Sequence, residues 1–425
     1  MFLQPFRALT SPQRRVFAAC FLGWALDAFD FFLLTYCLDS IAATFHVSLP
    51  TAADSITWTL CMRPVGALLF GLIAERIGRR PTLILNVLTF SVFEVASAFA
   101  PGFGSFLFMR ALFGIAMGGE WGVGAALAFE SLPAENRGFF SGLLQEGYVA
   151  GNLLAAVAYG TIYPHLHPHG FLTSWRLLFL LGAVPALLAG YIGLKVEESP
   201  AWLAGQRERK AGEVGRELRG LSKAIPLFVF LGFLMFGFNS FSHGTQDLYP
   251  TFLKHDKGLD AQITSVVAIV GTIGAFIGGI CFGALSERWG RRRTIVAAAL
   301  LAIPVIPLWA WTHTAVLLAA GGFLMQFMVQ GAWGIIPAHL NELSPGPIRA
   351  ILPGLAYQLG NLLASRNGHF QADMAQRYFG GRLTPVLGWT VVVIAVYIVV
   401  ATLLGREARG AVLTVRQEVA ETVDS

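Results

Sequence analysis

The sequence predicts an all-α membrane protein of twelve transmembrane helices, arranged as two six-helix pseudo-symmetric halves. Three observations carry this expectation. Of the 425 residues, 55% are hydrophobic and only 13% charged, with a mean hydropathy of +0.62, which is more apolar surface than a soluble domain can bury. Apolar stretches of about 20 residues, enough to cross a bilayer core roughly 30 Å thick, follow one another almost end to end. The pattern of the first half then returns in the second at one constant offset.

Taken in order, the first six spans cover residues 15–37, 52–73, 82–101, 105–131, 139–162 and 174–194. The second six cover 225–252, 261–285, 293–312, 314–340, 350–372 and 384–404. Residues 195–224, rich in Lys, Arg, Glu and Gly, read as a linker. The expected organisation is an N-terminal half 1–194, the linker 195–224, a C-terminal half 225–404 and a tail 405–425. Met1 to Arg15 shows no short apolar run followed by a small-residue cleavage site, so the first span is expected to be retained.

Twenty-two of the 30 Lys and Arg residues fall before the first span, in the 2–3, 4–5, 8–9 and 10–11 loops, in the linker or in the tail. The positive-inside rule then places both termini and the linker in the cytoplasm, with the chain in an inner (plasma) membrane. This placement accounts for the sequence pI near 9.1 without a nucleic-acid partner; lipid is the expected surrounding. Cys20, Cys37, Cys61 and Cys281 lie inside or at the ends of spans with no paired spacing, and read as small packing residues.

The internal repeat is explicit. Gly71-Leu-Ile-Ala-Glu75-Arg76-Ile-Gly78-Arg79-Arg80 is answered by Gly283-Ala-Leu-Ser-Glu287-Arg288-Trp-Gly290-Arg291-Arg292, an offset of 212 residues. The same offset carries Trp121 onto Trp333, Glu130 onto Glu342, Pro133 onto Pro345 and Arg137 onto Arg349. After a three-residue deletion, Gly151-Asn-Leu-Leu-Ala155 is answered by Gly360-Asn-Leu-Leu-Ala364. Two halves of equal topology describe a parallel repeat about an axis along the membrane normal. The paired loops resemble the signature of the major facilitator superfamily, with Glu75 and Glu287 where Asp is commoner. The resemblance implies a central cavity lined by spans one, four, seven and ten and flanked by two, five, eight and eleven. Gly71, Glu75, Arg76 and Arg79, with Gly283, Glu287, Arg288 and Arg291, are expected to form gate latches on the cytoplasmic side.

Ionisable groups at bilayer depth are costly and are therefore functional candidates. Span one carries Asp27 and Asp30 at i and i+3, span two Arg63, span four Arg110 and Glu120, and span eleven Gln358 and Asn361. Span seven reads Asn239-Ser-Phe-Ser242-His243-Gly-Thr245-Gln246-Asp247-Leu-Tyr-Pro-Thr251. There Asn239, His243, Gln246 and Asp247 share one helix face as a polar stripe. Such stripes also serve as helix–helix glue, but four strong hydrogen-bonding groups, one titrating near neutral pH, exceed what packing needs. Arg63 offers the planar fork that a carboxylate binds; a structural ion pair with Asp27 or Asp30 is the alternative. Asp27 and Asn239 are equivalent across the repeat, so one half offers a charge where the other offers an amide.

The span-seven string is similar to the signature of fungal lactate and pyruvate permeases, within the sialate:proton symporter branch. The resemblance implies roles in substrate recognition and proton coupling for Asn239, His243, Gln246 and Asp247. It likewise implies substrate binding by Arg63 and by Gln358 with Asn361. Arg110 with Gly114 resembles the superfamily's span-four arginine pattern; proton coupling and a structural pairing with Glu120 are both open to it. Asp27, Asp30, Asp247, Arg110 and Glu120 are together the expected proton-coupling set.

The expected function is proton-coupled symport of a small monocarboxylate of the lactate or pyruvate type, by alternating access and as a functional monomer. Sialic acid or another organic acid is the alternative, against which length argues, since the bacterial sialate members resemble fourteen-span proteins. No metal-ligand spacing, nucleophile elbow or phosphate loop occurs, so neither an enzyme nor a cofactor is expected. His165, His167 and His169 alternate in the 5–6 loop and read as a solvated loop with no metal.

Overall fold

The computed structural model describes residues 4–167, 170–206 and 223–411, which form helices and no strand. Most of the linker, the last fourteen residues of the tail and His169 lie outside the described residues. Among the described residues, ten helical segments are long and apolar enough to cross a bilayer. They are Ser11–Phe45, Thr51–Ile77, Arg79–Ala98, Phe103–Ser131, Ser174–Lys195, Ile225–His255, Gln262–Trp289, Arg291–Trp311, Ala315–Leu343 and Leu383–Leu404. These are spans one to four, six to ten and twelve.

Spans five and eleven, expected as single helices, are each broken in two. Span five runs Arg137–Gln145 and Gly147–Thr161, and the break falls where Gly147, lacking a side chain, admits the Trp24 ring of span one. Span eleven runs Leu352–Ala364 and Asn367–Tyr378. At its break the Ser365 hydroxyl donates to the Leu362 carbonyl at 2.7 Å, a local bond that competes with the helix ladder.

Local chemistry sets the other ends. Thr10 opens span one with a capping box: its hydroxyl accepts the Gln13 N–H at 3.4 Å and the Gln13 side chain accepts the Thr10 N–H at 3.0 Å. The 2–3 and 8–9 turns pivot on Gly78 (φ 108°) and Gly290 (φ 91°), a backbone region that favours glycine. Over each turn sits a carboxylate that the sequence did not single out. Glu198 accepts the N–H groups of Arg79 and Arg80 at 3.1 and 3.2 Å, and Glu407 those of Arg291 and Arg292, both at 3.1 Å. The two acids are related by the repeat once the three-residue deletion is counted.

The cradles differ in burial. Burial lifts the Glu407 carboxyl, but backbone N–H groups from Arg292, Arg291 and Arg409 outweigh it and hold the group below its ordinary value. At Glu198 burial wins over the same kind of bonds and the carboxyl rises. A depressed carboxyl contributes stability that is present above its unfolded value and lost as pH falls through the folded one. Glu407→Gln should therefore lower the melting temperature of the purified protein at neutral pH by roughly 1–2 °C. The wild type should lose the same increment on acidification below about pH 4.3; a melting curve indifferent to the substitution would remove this role.

Within each half, glycines let backbones touch. A Cβ at Gly66, Gly114 or Gly118 would strike the backbone of Ile115, Thr59 or Arg63, so spans two and four pack without intervening side chains. Spans eight and ten repeat this with Gly274 and Gly278 against Phe323 and Phe327. The outside is apolar: Leu187, Leu194, Val316 and Leu404 are each at least 75% exposed, a surface suited to lipid.

Candidate functional site

A cavity of about 430 Å³ lies between the halves. Span seven supplies its polar wall, with Asn239, Ser242, His243, Gln246 and Asp247 all reaching it. The helix stops at Gln246 and resumes at Tyr249, with Pro250 in the first turn of the new segment. His243 Nδ1 lies 3.2 Å from both Asp247 carboxylate oxygens, and its Nε2 lies 3.1 Å from Asn361 Oδ1 on span eleven. A proton on either ring nitrogen therefore has an oxygen acceptor. Asn239 lines the cavity while its amide N–H donates to Met235 O at 2.8 Å.

Span ten contributes two residues absent from the sequence-based set. Gln326 Oε1 accepts from Gln246 Nε2 at 2.8 Å, and Gln326 Nε2 donates to Thr245 Oγ1 at 3.2 Å. Gln330 Nε2 donates to Ser242 Oγ at 3.1 Å. Two glutamines four residues apart in an apolar helix are the signal that could have found them. Gln145, Tyr148 and Asn152 of span five also line the cavity.

Opposite this amide-rich wall stands Arg63. It is 2% exposed, lines the cavity, and its Nε and Nη2 have no hydrogen-bond partner among the described residues. Among the described residues it forms no ion pair with Asp27 or Asp30; Asp27 and Glu120 act on it from longer range. Gln358 is not brought into the site: it is 1% exposed, without a side-chain hydrogen-bond partner among the described residues, and outside the cavity lining that Asn361 joins.

The remaining acids lie behind the cavity. Asp27, Asp30, Glu94 and Glu120 are buried and line no part of it. Arg110 pairs with Glu94 of span three and not with Glu120, which turns it away from the centre. Glu94 and Asp30 meet against Gly182 of span six, while Glu120 lies against Gly23 of span one. Span four accordingly contributes no residue to the cavity lining among the described residues, contrary to expectation. Its place is taken by spans two, five and eight. His165 and His167 are exposed, and no cluster of three metal-ligating side chains occurs among the described residues.

The face that carries the 2–3 and 8–9 loops is shut. Arg79 is held between Glu75 at 2.9 Å and Glu130 at 3.1 Å, and Arg291 between Glu287 at 3.1 Å and Glu342 at 2.9 Å. Each acid of the loop motif meets the arginine at i+4, across the glycine turn and within its own half; Arg76 and Arg288, at i+1, are exposed and outside these clusters. Across the halves, Glu75 accepts the Ala350 N–H at 3.2 Å, Glu287 accepts the Gly138 N–H, and Ser141 accepts the Ala338 N–H at 3.0 Å. Gly71 packs on Ile351 and Gly283 on Gly138, each without room for a side chain. The cavity lies beyond these contacts, toward the opposite face.

The same Arg–Glu–Glu cluster thus occurs in both halves, and the profile of the Major Facilitator Superfamily matches residues 20–365. The chain belongs to the Major Facilitator Superfamily. This superfamily member is a multi-pass membrane transporter and not an enzyme, as its relatives are transporters. It is 30% identical over 397 residues to a carboxylic acid transporter protein homolog of Saccharomyces cerevisiae, covering 88% of this chain but 63% of the relative's length. It is 27% identical to the sialic acid transporter NanX of Escherichia coli, over 88% of this chain and 89% of that one. Length therefore does not separate this superfamily chain from sialate carriers, and that argument falls. Its fold is that of the proton:xylose symporter XylE, with a TM-score of 0.74, 18% identity and coverage of 96% of this chain and 99% of that one.

Proposed function

We propose that the protein is a proton-coupled symporter of organic monocarboxylates, in an inner membrane with both termini cytoplasmic, working as a monomer. The observation that carries this reading is Arg63: a buried guanidinium with unpartnered nitrogens at a cavity wall is a site for a carboxylate. The His243–Asp247 pair across the cavity supplies a proton carrier that substrate can reach. Charge counting supports coupling as well. Asp27, Asp30, Glu94 and Glu120 are four buried acids facing the two cations Arg63 and Arg110, and neutrality in a low-dielectric interior asks for protons. Loading one proton with one monoanion leaves the carrier's net charge unchanged, which lowers the barrier to reorientation.

A lactate- or pyruvate-sized acid is the first reading, in keeping with the span-seven signature and the carboxylic acid transporter relative. A larger polar acid of the sialate kind is the second, favoured by the cavity volume and by the amides of Gln246, Gln326 and Gln330. Competition by lactate, pyruvate, acetate, dicarboxylates and sialic acid against a labelled acid on purified protein separates them; no competition by any monocarboxylate would end both.

In proteoliposomes, uptake should fall as external pH rises. One coupled proton supports about tenfold accumulation for each unit of imposed pH gradient. Asp247→Asn should bring that ratio to unity while retaining substrate exchange. Normal accumulation by Asp247→Asn, with loss in Asp27→Asn or Asp30→Asn, would move the coupling carboxylate to span one.

A further inference from the structure

Span five carries an acid that neither the cavity nor the latches use. Glu146 is 1% exposed and sits at the break between the two helices of the span. Its neighbours Gln145, Tyr148 and Val149 line the cavity; Glu146 does not. Its Oε1 lies against Gly279 of span eight, so closely that a Cβ at 279 would collide with it. Its Oε2 has no hydrogen-bond partner among the described residues.

Span eight belongs to the other half. Going inward from the shut face, successive turns of span five present Gly138, Gly142 and then Glu146 to it. Gly138 meets Gly283, Gly142 meets the Gly279 carbonyl, and neither leaves space for a side chain. Around Glu146, span one presents Trp24 beside Gly147, span eight presents Gly279, and span ten presents the Gln330 carbonyl. No charged side chain among the described residues acts on it; the nearest latch charges, Arg291 and Glu287, stand at Gly138, two turns away.

We propose that Glu146 is a proton-binding site of the transport cycle, set in the seam between the halves, protonated while the loop-bearing face is shut and deprotonated when it opens. This inference rests on the proton-coupled reading above. A buried carboxyl pressed against a glycine of the facing half, with no cation and an orphaned oxygen, is tolerated neutral and penalised as an anion. When the halves part at the loop-bearing face, spans five and eight separate along this seam and water reaches the carboxylate. The proton then leaves Glu146 for that water. It is regained from water in the cavity, one residue away along span five, as the seam closes and the cavity comes to face the opposite side. The sign suits uptake: binding from the cavity side and release at the opposite face.

The test reads the gate directly. Spin labels at the exposed Arg76 and Arg288 positions (R76C, R288C), in protein whose four native cysteines are replaced by serine, report the separation of the halves in lipid nanodiscs by electron–electron distance measurement. With Glu146 present, the open-to-shut ratio should rise with pH, by up to about tenfold per unit. Glu146→Gln should stay shut across the same range, and Glu146→Asp should restore the response at a shifted pH. A Glu146→Gln gate that follows the wild-type curve, or a wild-type gate that ignores pH, overturns the proposal. Accumulation of substrate is measured in parallel. Indifference to protonophores there would sink the symport reading alone, leaving a pH-gated seam at Glu146 intact.

Discussion

Arg63→Ala is expected to weaken carboxylate binding by two to three orders of magnitude, because the bound anion would lose its buried cation. Arg63→Lys should still lose about 10- to 100-fold, since an ammonium cannot reproduce the two parallel bonds of the guanidinium fork. Arg63 also faces Asp27 and Glu120, so the alanine variant raises the acid excess in that half. The binding isotherm should therefore be read beside a thermal melt. Equal affinity in both variants and wild type, with the fold intact, would remove Arg63 from the substrate site.

The second expected result contrasts two glycines. Gly118 and Gly142 each leave no room for a Cβ, the first against Arg63 of the same half, the second against Gly279 of the other. Gly118→Leu should prevent folding, because the two backbones it would force apart are locked in one rigid body. Gly142→Leu should fold and bind substrate yet lose essentially all net transport, because only the shut seam is forbidden. Expression, a thermal melt and counterflow on the two variants decide it; a Gly142→Leu protein with normal turnover would show that the seam need not close during the cycle.

Much of this was legible in the sequence because the repeat doubles every signal. One loop with Glu75 and Arg79 is a weak mark; the same spacing at Glu287 and Arg291 identifies a structural unit, and both proved to be ion-paired as i and i+4. The span-seven stripe was legible because one helix holds all of it. What escaped needed tertiary knowledge. Arg110 reaches Glu94, sixteen residues away on a different span, and nothing in either helix alone favours that partner over Glu120. Glu198 and Glu407 stand outside the spans, where an acid is unremarked until a glycine turn is seen beneath it. The broken fifth and eleventh spans escaped because hydropathy averages over a break of one or two residues.

Those two breaks lie at unlike depths. Span five breaks at Glu146, nine residues past its first residue Arg137 at the loop-bearing face, whereas span eleven breaks at Ser365 and Arg366, at the midpoint of its crossing. Two rigid bodies rocking on a single fulcrum behave as a seesaw, in which one end opens as far as the other shuts. Bending points at different heights release that constraint, since each end can be closed by deforming its own helix while the other stays put. An occluded interval, sealed at both ends around its cargo, is then an available geometry, and the durations of the two opening steps can be tuned independently of one another.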